Sequence, residues 1–428
     1  MKISRRQVLE NGLGMSALLP FISTPGVASP LLGEKFSNVK PHFVVYFQVY
    51  GAWDVCLAMD PKDRELKLSN GAKAFDQPYA MNEVKEKSGL LFGPAMMGLM
   101  PYAGKLCIVN GIDMELDNGH SPMNAMTGVT QGSPQEKASL QALVSGNHSF
   151  ISRLTIPHVY ASYDGYFCAG EFGAQTVAIS PADAKKVLGD RGGAQNLRWA
   201  RNLMGISPDS HDEDQRRQLL QYKKNLDLSA SLSQTLSQGE QDTDADMSKI
   251  SEMARFFGKL FKQKVLGSLT ISLGEKFFFD THFQHYKNHP LLAALDEVKE
   301  FCDQLSAIGF DEHSSVFDHT TVVVTAEYAR TPLLNGSEGK DHNFRTNSLL
   351  LLGKNIQSKT FGLSGERSSG GGLEAHAGLP IDFATGRYNS QGEILKMRNI
   401  WSGIGPVFST DLSADFGRDV KSVGFFGA

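Results

Sequence analysis

The sequence predicts an α/β protein with a central sheet flanked by helices. Three observations carry that prediction. Residues 321–325, Thr321-Val322-Val323-Val324-Thr325, are an unbroken β-branched run, which reads as a strand buried on both faces. Residues 42–49 form a second apolar, β-rich run with the character of a central strand. Residues 291–305, between strand-like 265–273 and the run at 321–325, carry apolar residues at helical spacing.

The remaining elements follow in chain order. The N-terminus holds Ser4-Arg5-Arg6-Gln7-Val8-Leu9-Glu10, which matches the twin-arginine pattern of two Arg followed by apolar residues. The apolar stretch from Gly12 to Ile22 is too short to span a bilayer. Gly26-Val27-Ala28 offers a small-x-small cleavage site before Ser29, and no Cys follows to take a lipid anchor. Residues 1–28 therefore read as a twin-arginine signal peptide. The expected partner is the twin-arginine translocation machinery, and the expected location is the periplasm or outside the cell. That route carries folded proteins, which suits a chain that acquires a metal before export.

Residues 29–428 read as one large α/β domain. Residues 29–40 are a polar lead-in, and 105–111 are a strand candidate centred on Cys107-Ile108-Val109. Residues 119–128 read as a loop opening onto a short helix, and 138–148 and 183–204 as helices. From 212 to 263 the chain is charged, Gln-rich and helix-prone, with a polar break at 238–246. This predicts a helical insertion at about 196–264, lying on the rim of the core with a solvated face. Residues 348–352 are another strand, and 364–372, rich in Ser and Gly, a mobile loop. No second apolar run approaches spanning length, so no membrane span is expected in the mature chain.

Composition removes one class of function. Loss of residues 1–28 would leave 39 basic against 45 acidic residues, a formal charge of −6. A mildly acidic chain carries no footprint for nucleic acid. The cysteines Cys56, Cys107, Cys168 and Cys302 fit no zinc-knuckle spacing, and their pairing stays open.

The candidate chemistry sits where strands end. Open α/β sheets place their sites just beyond the carboxyl ends of strands. Asp54 follows the run at 42–49, Asp280 and His282 follow the run at 265–273, and Glu327 follows the run at 321–325. Asp341-His342 comes one loop later, after Asn335-Gly336. Asp280 and His282 stand at i and i+2, on one side of an extended segment. Carboxylate and imidazole suit a divalent metal: zinc first, with manganese, magnesium and calcium open. Arg330 is placed to hold an anionic oxygen bidentately, or else to pair with Glu327 or Asp341.

On these residues the chain resembles the domain of unknown function 1501 family, distant relatives of the alkaline phosphatase and sulfatase superfamily. The resemblance rests on Gly51-Ala52-Trp53-Asp54, Asp280-Thr281-His282, Thr325-Ala326-Glu327-Tyr328-Ala329-Arg330-Thr331 and Gly339-Lys340-Asp341-His342, in order along the chain. It implies an alkaline-phosphatase-like mixed sheet and a metal held by Asp54, Asp280, His282, Glu327, Asp341 and His342. Where the wider superfamily ends a strand in Asp-His, this chain has Glu327-Tyr328. The nucleophile position implied by the resemblance falls at Ser121, with Thr127 second. Ser121 also suits the N-cap of a following helix. Two functions compete. One is a metal-dependent hydrolase of phosphate or sulfate esters acting on an anionic ester substrate. The other is a non-catalytic binding or envelope-assembly protein that keeps the fold.

Overall fold

The structure is a computed structural model that describes residues 40–116, 138–154, 156–161, 176–179, 246–274, 276–369, 372–408, 412 and 420–424. Residues 1–28, the segment holding Ser121 and Thr127, the helix expected at 183–204, most of the helical insertion and Cys168 lie outside them.

Eight strands of the described residues form one sheet. They are β1 (Phe43–Val49), β2 (Leu106–Val109), β3 (Ile156–Ala161), β4 (Thr176–Ile179), β5 (Leu266–Ser272), β6 (Thr320–Ala326), β7 (Leu349–Leu352) and β8 (Lys359–Phe361). Their order across the sheet is β8-β2-β7-β6-β1-β5-β3-β4. β1 lies at the centre, parallel to β5 on one side and to β6 on the other. β7 runs antiparallel to both β6 and β2, which makes the sheet mixed. All seven residues of β1 and of β5 are buried. Strands covered on both faces have no solvent side to alternate toward, so β1 reads as a near-continuous apolar run, while β5 buries the hydroxyls of Ser268, Thr270 and Ser272.

Helices cover both faces. α1 (Leu140–Asn147), α2 (Ile250–Lys262), α3 (His285–Asn288), α4 (Leu291–Ala307) and α5 (Met397–Gly403) are the α-helices among the described residues. On one face, Phe43 of β1 stacks on Phe261 of α2 with ring centroids 4.9 Å apart, and Phe47 meets Phe301 of α4 edge-on at 5.2 Å. On the other face, Tyr46 and Gln48 border Leu140 and Gln141 of α1 and Trp401 of α5.

Two segments differ from expectation. The charged composition around α2 places it on the rim. Instead, Ile250, Met253, Ala254, Phe257, Leu260 and Phe261 form a buried stripe at helical spacing, which draws α2 onto the central strand. Residues 364–369 are not a loop. Ser364–Ser369 pairs antiparallel with Gly372–Gly378. Polar contacts to the body supply what the Ser/Gly composition lacks in β-propensity. Lys62 Nζ donates to Ser364 O at 2.9 Å, Ser69 N donates to Glu366 Oε2 at 2.7 Å, and Arg367 Nη2 donates to Asp113 Oδ2 at 2.9 Å.

Cys56, Cys107 and Cys302 are buried free thiols. Among the described residues no helix is long and apolar enough to cross a membrane.

Candidate metal centre

Three adjacent parallel strands, β5, β1 and β6, end at one edge, and the chain beyond each end is tied to its neighbours. Leu273 N donates to Gln48 O at 2.8 Å. Past β1 and β6 the pairing continues: Trp53 N donates to Tyr328 O at 3.3 Å, and Arg330 N donates to Trp53 O at 3.1 Å. Gly51 N donates to Glu327 Oε1 at 2.8 Å. Gly51 has φ +99°, and a Cβ there would lie 3.0 Å from Asp280 N. Only glycine meets both requirements without strain.

His342–Asn343 then pairs antiparallel with Ala329–Arg330, which sets His342 opposite Arg330. The intervening turn is held by Asn335. Its Oδ1 accepts from Ser337 N and Gly339 N, both at 2.9 Å. Its Nδ2 donates to His282 O at 3.1 Å and to Asp341 Oδ1 at 3.0 Å.

These ties bring Asp280, His282 and His342 together. Asp280 Oδ1 lies 3.0 Å from His282 Nε2 and 3.2 Å from His342 Nε2. The two Nε2 atoms are 3.0 Å apart. Zinc–ligand bonds of about 2.0–2.1 Å in a tetrahedron put ligand atoms roughly 3.3 Å from one another. The donor set and its spacing therefore fit a small divalent ion such as zinc. His282 Nδ1 lies 2.8 Å from Asp341 Oδ1, which assigns the neutral ring's proton to Nδ1 and leaves the Nε2 lone pair facing the cluster. Tyr328 OH lies 3.3 Å from His342 Nδ1. Burial alone would raise the Asp280 carboxyl. Hydrogen bonds from Arg330 and His342 outweigh it and bring the pKa to about 2. Asp280 is thus an anion at neutral pH.

Asp54 lies in a second, buried cluster behind this one. Its Oδ2 accepts from Lys340 Nζ at 2.8 Å and from His285 Nε2 at 2.9 Å, and its Oδ1 accepts from Cys56 N at 3.1 Å. Burial pushes this carboxyl up, but the Lys340 charge and the His285 hydrogen bond hold it well below the usual carboxylate range. His289 Nε2 accepts from Asp54 N at 3.0 Å. Thr281 Oγ1 contacts His285 Nδ1 at 2.7 Å and His289 Nδ1 at 3.3 Å. Burial lowers the pKa of both histidines, so both rings are neutral.

Arg330 does not reach out to a substrate oxygen. It is fully buried. Its Nη2 donates to Gly51 O, to Phe279 O at 2.8 Å and to Asp280 Oδ1 at 2.6 Å, while Nη1 donates to Lys340 O at 3.1 Å. It clamps three loops and fixes Asp280. Its carboxylate partner is Asp280, in place of Glu327 or Asp341. Glu327 is also buried, with Oε1 on Gly51 N.

The six carboxylates and histidines singled out by sequence therefore divide. Asp280, His282 and His342 converge, Asp341 stands behind His282, and Asp54 and Glu327 lie deeper. Lys340, His285, His289, Tyr328 and Asn335 were not read as part of the site. Tyr328, Asn335 and Lys340 stand inside segments already singled out from the sequence, and the spacing of His285 and His289, four residues apart, is the signal that marks the other two.

A cleft of about 300 Å³ opens beside His342, lined by Thr331, Pro332, Phe344, Arg345 and Glu374 among others. His376 also lines it, with Nε2 2.9 Å from Asp60 Oδ2 and Nδ1 3.6 Å from Cys56 Sγ. Burial pushes the Cys56 thiol well up, so this Cys-His-Asp array offers no thiolate.

A family model described as "Protein of unknown function (DUF1501)" matches residues 44–366. Among solved structures, the chain is similar to a protein in the alkaline phosphatase superfamily from Vibrio parahaemolyticus, at 9% identity and TM-score 0.34, over 85% of this chain and 72% of that one. It is similar to Ps i-CgsB in complex with k-i-k-neocarrahexaose at 9% identity and TM-score 0.33, over 75% of this chain and 68% of that one. It is also similar to the PH0037 protein from Pyrococcus horikoshii, at 11% identity and TM-score 0.28, over 75% and 88% of the two chains. No curated protein matches it.

Proposed function

The chain belongs to this family of unknown function, and from that premise we propose that it is an exported, metal-dependent hydrolase of phosphate or sulfate esters. The observation that carries the reading is the convergence of Asp280 Oδ1, His282 Nε2 and His342 Nε2 within 3.2 Å of one another. These three residues would hold a divalent ion, zinc first, with manganese, magnesium or calcium as the alternatives. When bound, such an ion supplies Lewis acidity toward an ester oxygen and lowers the pKa of a nearby hydroxyl.

The protein's own groups do the remaining work. Asp341 orients the His282 ring, and Tyr328 stands against the far nitrogen of His342. Arg330 keeps Asp280 ionised and the three loops in register. Ser121 supplies the nucleophilic oxygen in this reading, with Thr127 as the alternative. The cleft beside His342 receives the alcohol portion of the ester.

One observation favours the non-catalytic reading, a periplasmic binding or envelope-assembly protein. Both oxygens of Asp54 and the outer nitrogens of Arg330 are already engaged by the protein. Fewer groups then remain to grip an anion.

Elemental analysis of protein exported through its own signal, with an aryl phosphate and aryl sulfate screen, decides between them. The hydrolase reading expects bound metal and turnover that Ser121→Ala abolishes while metal stays. Asp280→Ala or His282→Ala should lose both. Metal-loaded protein inert toward every such ester would leave the non-catalytic reading in its place. For export, replacing Arg5 and Arg6 together by Lys should hold uncleaved precursor in the cytoplasm. Normal delivery of that double variant would refute the twin-arginine route.

A further inference from the structure

The exposed and buried clusters are built back to back on the same two stretches of chain. Asp280 and His282 face the exposed cluster, while Thr281 between them turns to His285. His342 joins the exposed cluster, while Lys340, two residues earlier, joins the buried one. Lys340 N also donates to Thr281 O at 3.1 Å.

The charges of the two clusters differ. Asp54 and Lys340 are both fully buried and cancel, and the two histidines beside them are neutral. A divalent ion added there would leave two uncompensated charges in the interior, which is strongly unfavourable. In the exposed cluster Asp280 and Asp341 are anionic and Arg330 is cationic, a net of one negative charge. A divalent ion there meets acceptors and solvent, since His282 is 39% exposed.

The lysine fills the place beside Asp54 that an added cation would need. Its Nζ sits 2.8 Å from Asp54 Oδ2, the same oxygen that lies 2.9 Å from His285 Nε2, and 5.1 Å from the centre of the Tyr286 ring. We infer that the Lys340 ammonium is a built-in second cation of this centre. The chain then takes one divalent ion, at Asp280, His282 and His342, and Asp54 serves the ammonium. This inference rests on the metal-binding reading above and sets its stoichiometry.

Zinc alone is the probe, counted by elemental analysis after dialysis and titrated calorimetrically into the full chain. Wild-type protein should hold one zinc per chain. Asp54→Asn alone would strand the buried ammonium and risks misfolding. The charge-neutral double variant Asp54→Asn/Lys340→Met avoids that. It should still hold one zinc, within about threefold of the wild-type affinity. Lys340→Ala frees Asp54 Oδ2 of the ammonium, with His285 Nε2 still 2.9 Å from that oxygen, and its zinc content should rise to two. Two zinc ions in the wild type, loss of zinc from the double variant, or one zinc in Lys340→Ala would each overturn the inference. No zinc or other divalent metal in the wild type would overturn the underlying metal-binding reading as well.

Discussion

Gly339→Ala tests the candidate centre through a position that touches no proposed ligand side chain. A Cβ on residue 339 would lie 1.9 Å from both the carbonyl carbon and the carbonyl oxygen of His282. Ordinary contact begins at 3.4 Å, so the two backbones must separate by about 1.5 Å. Both atoms are backbone, and no side-chain rotation relieves the clash. Functional constellations tolerate displacements of roughly 0.5 Å. His282 would be carried off the point where Asp280 and His342 meet, and its contact with Asp341 would be stretched. Changes that disturb ligand orientation in this way cost about 10- to 100-fold in metal affinity. That is roughly 1.4–2.8 kcal/mol. The assay is zinc affinity by competition with a chromophoric chelator. Gly336→Ala is the matched control, because nothing lies within 4 Å of a Cβ there. If Gly339→Ala binds zinc within threefold of wild type, with Gly336→Ala unchanged, this packing does not position His282 and the argument fails.

Three other outcomes follow from the same geometry. Asp341→Asn keeps an acceptor for His282 Nδ1 but removes its charge, so zinc affinity should fall about tenfold; folding stability should move by less than about 0.5 kcal/mol because Asp341 is 55% exposed. Arg330→Met strands Asp280 and three backbone carbonyls and should cost about 3–5 kcal/mol in urea unfolding, while a loss under about 1 kcal/mol would refute the clamp. His158 lies buried between Ser268 and Thr270, and burial lowers its pKa to about 3. The unfolded chain, titrating near 6.5, binds the extra proton first, so stability falls as pH drops from about 6.5 toward 3, by about 2 kcal/mol between pH 7 and 5. His158→Gln should flatten urea-unfolding stability over that interval by the same amount, and an unchanged slope would remove His158 from the account.

The sheet was legible because its central strands are covered on both faces. β1 is apolar but for Gln48, β6 is β-branched from Thr320 to Thr325, and β5 alternates apolar residues with buried Ser268, Thr270 and Ser272, so β1 and β6 stand out most in the sequence. α4 was legible because its buried residues recur at helical spacing. The strand at Ser364–Ser369 was not. Its residues have low strand preference, and what holds them are Lys62, Ser69 and Asp113, more than 250 positions away. Local composition carries no trace of such partners. α2 misled for a related reason: its charged face dominates the composition, while the stripe that packs on Phe43 is only half the helix.

The edge of the sheet that gathers the candidate residues was also legible, because Asp54, Asp280 and Glu327 each follow a buried strand. Alternation along an extended segment put Asp280 and His282 on one side, and the structure keeps them there with Thr281 turned the other way. What alternation does not carry is depth. Asp54 and Asp280 look equivalent as strand-end carboxylates, yet one is buried against Lys340 and the other is partly open to solvent. The difference arises from Lys340, which in sequence is one more residue of a polar turn. A buried ammonium needs a buried carboxylate, and Asp54 is the one within reach. Once that pair forms, Asp54 is occupied, and the ligands left for an added cation are those that face outward. In the proposed centre the number of metal ions thus follows from where one lysine goes, which makes Lys340 the residue whose replacement says most about that proposal.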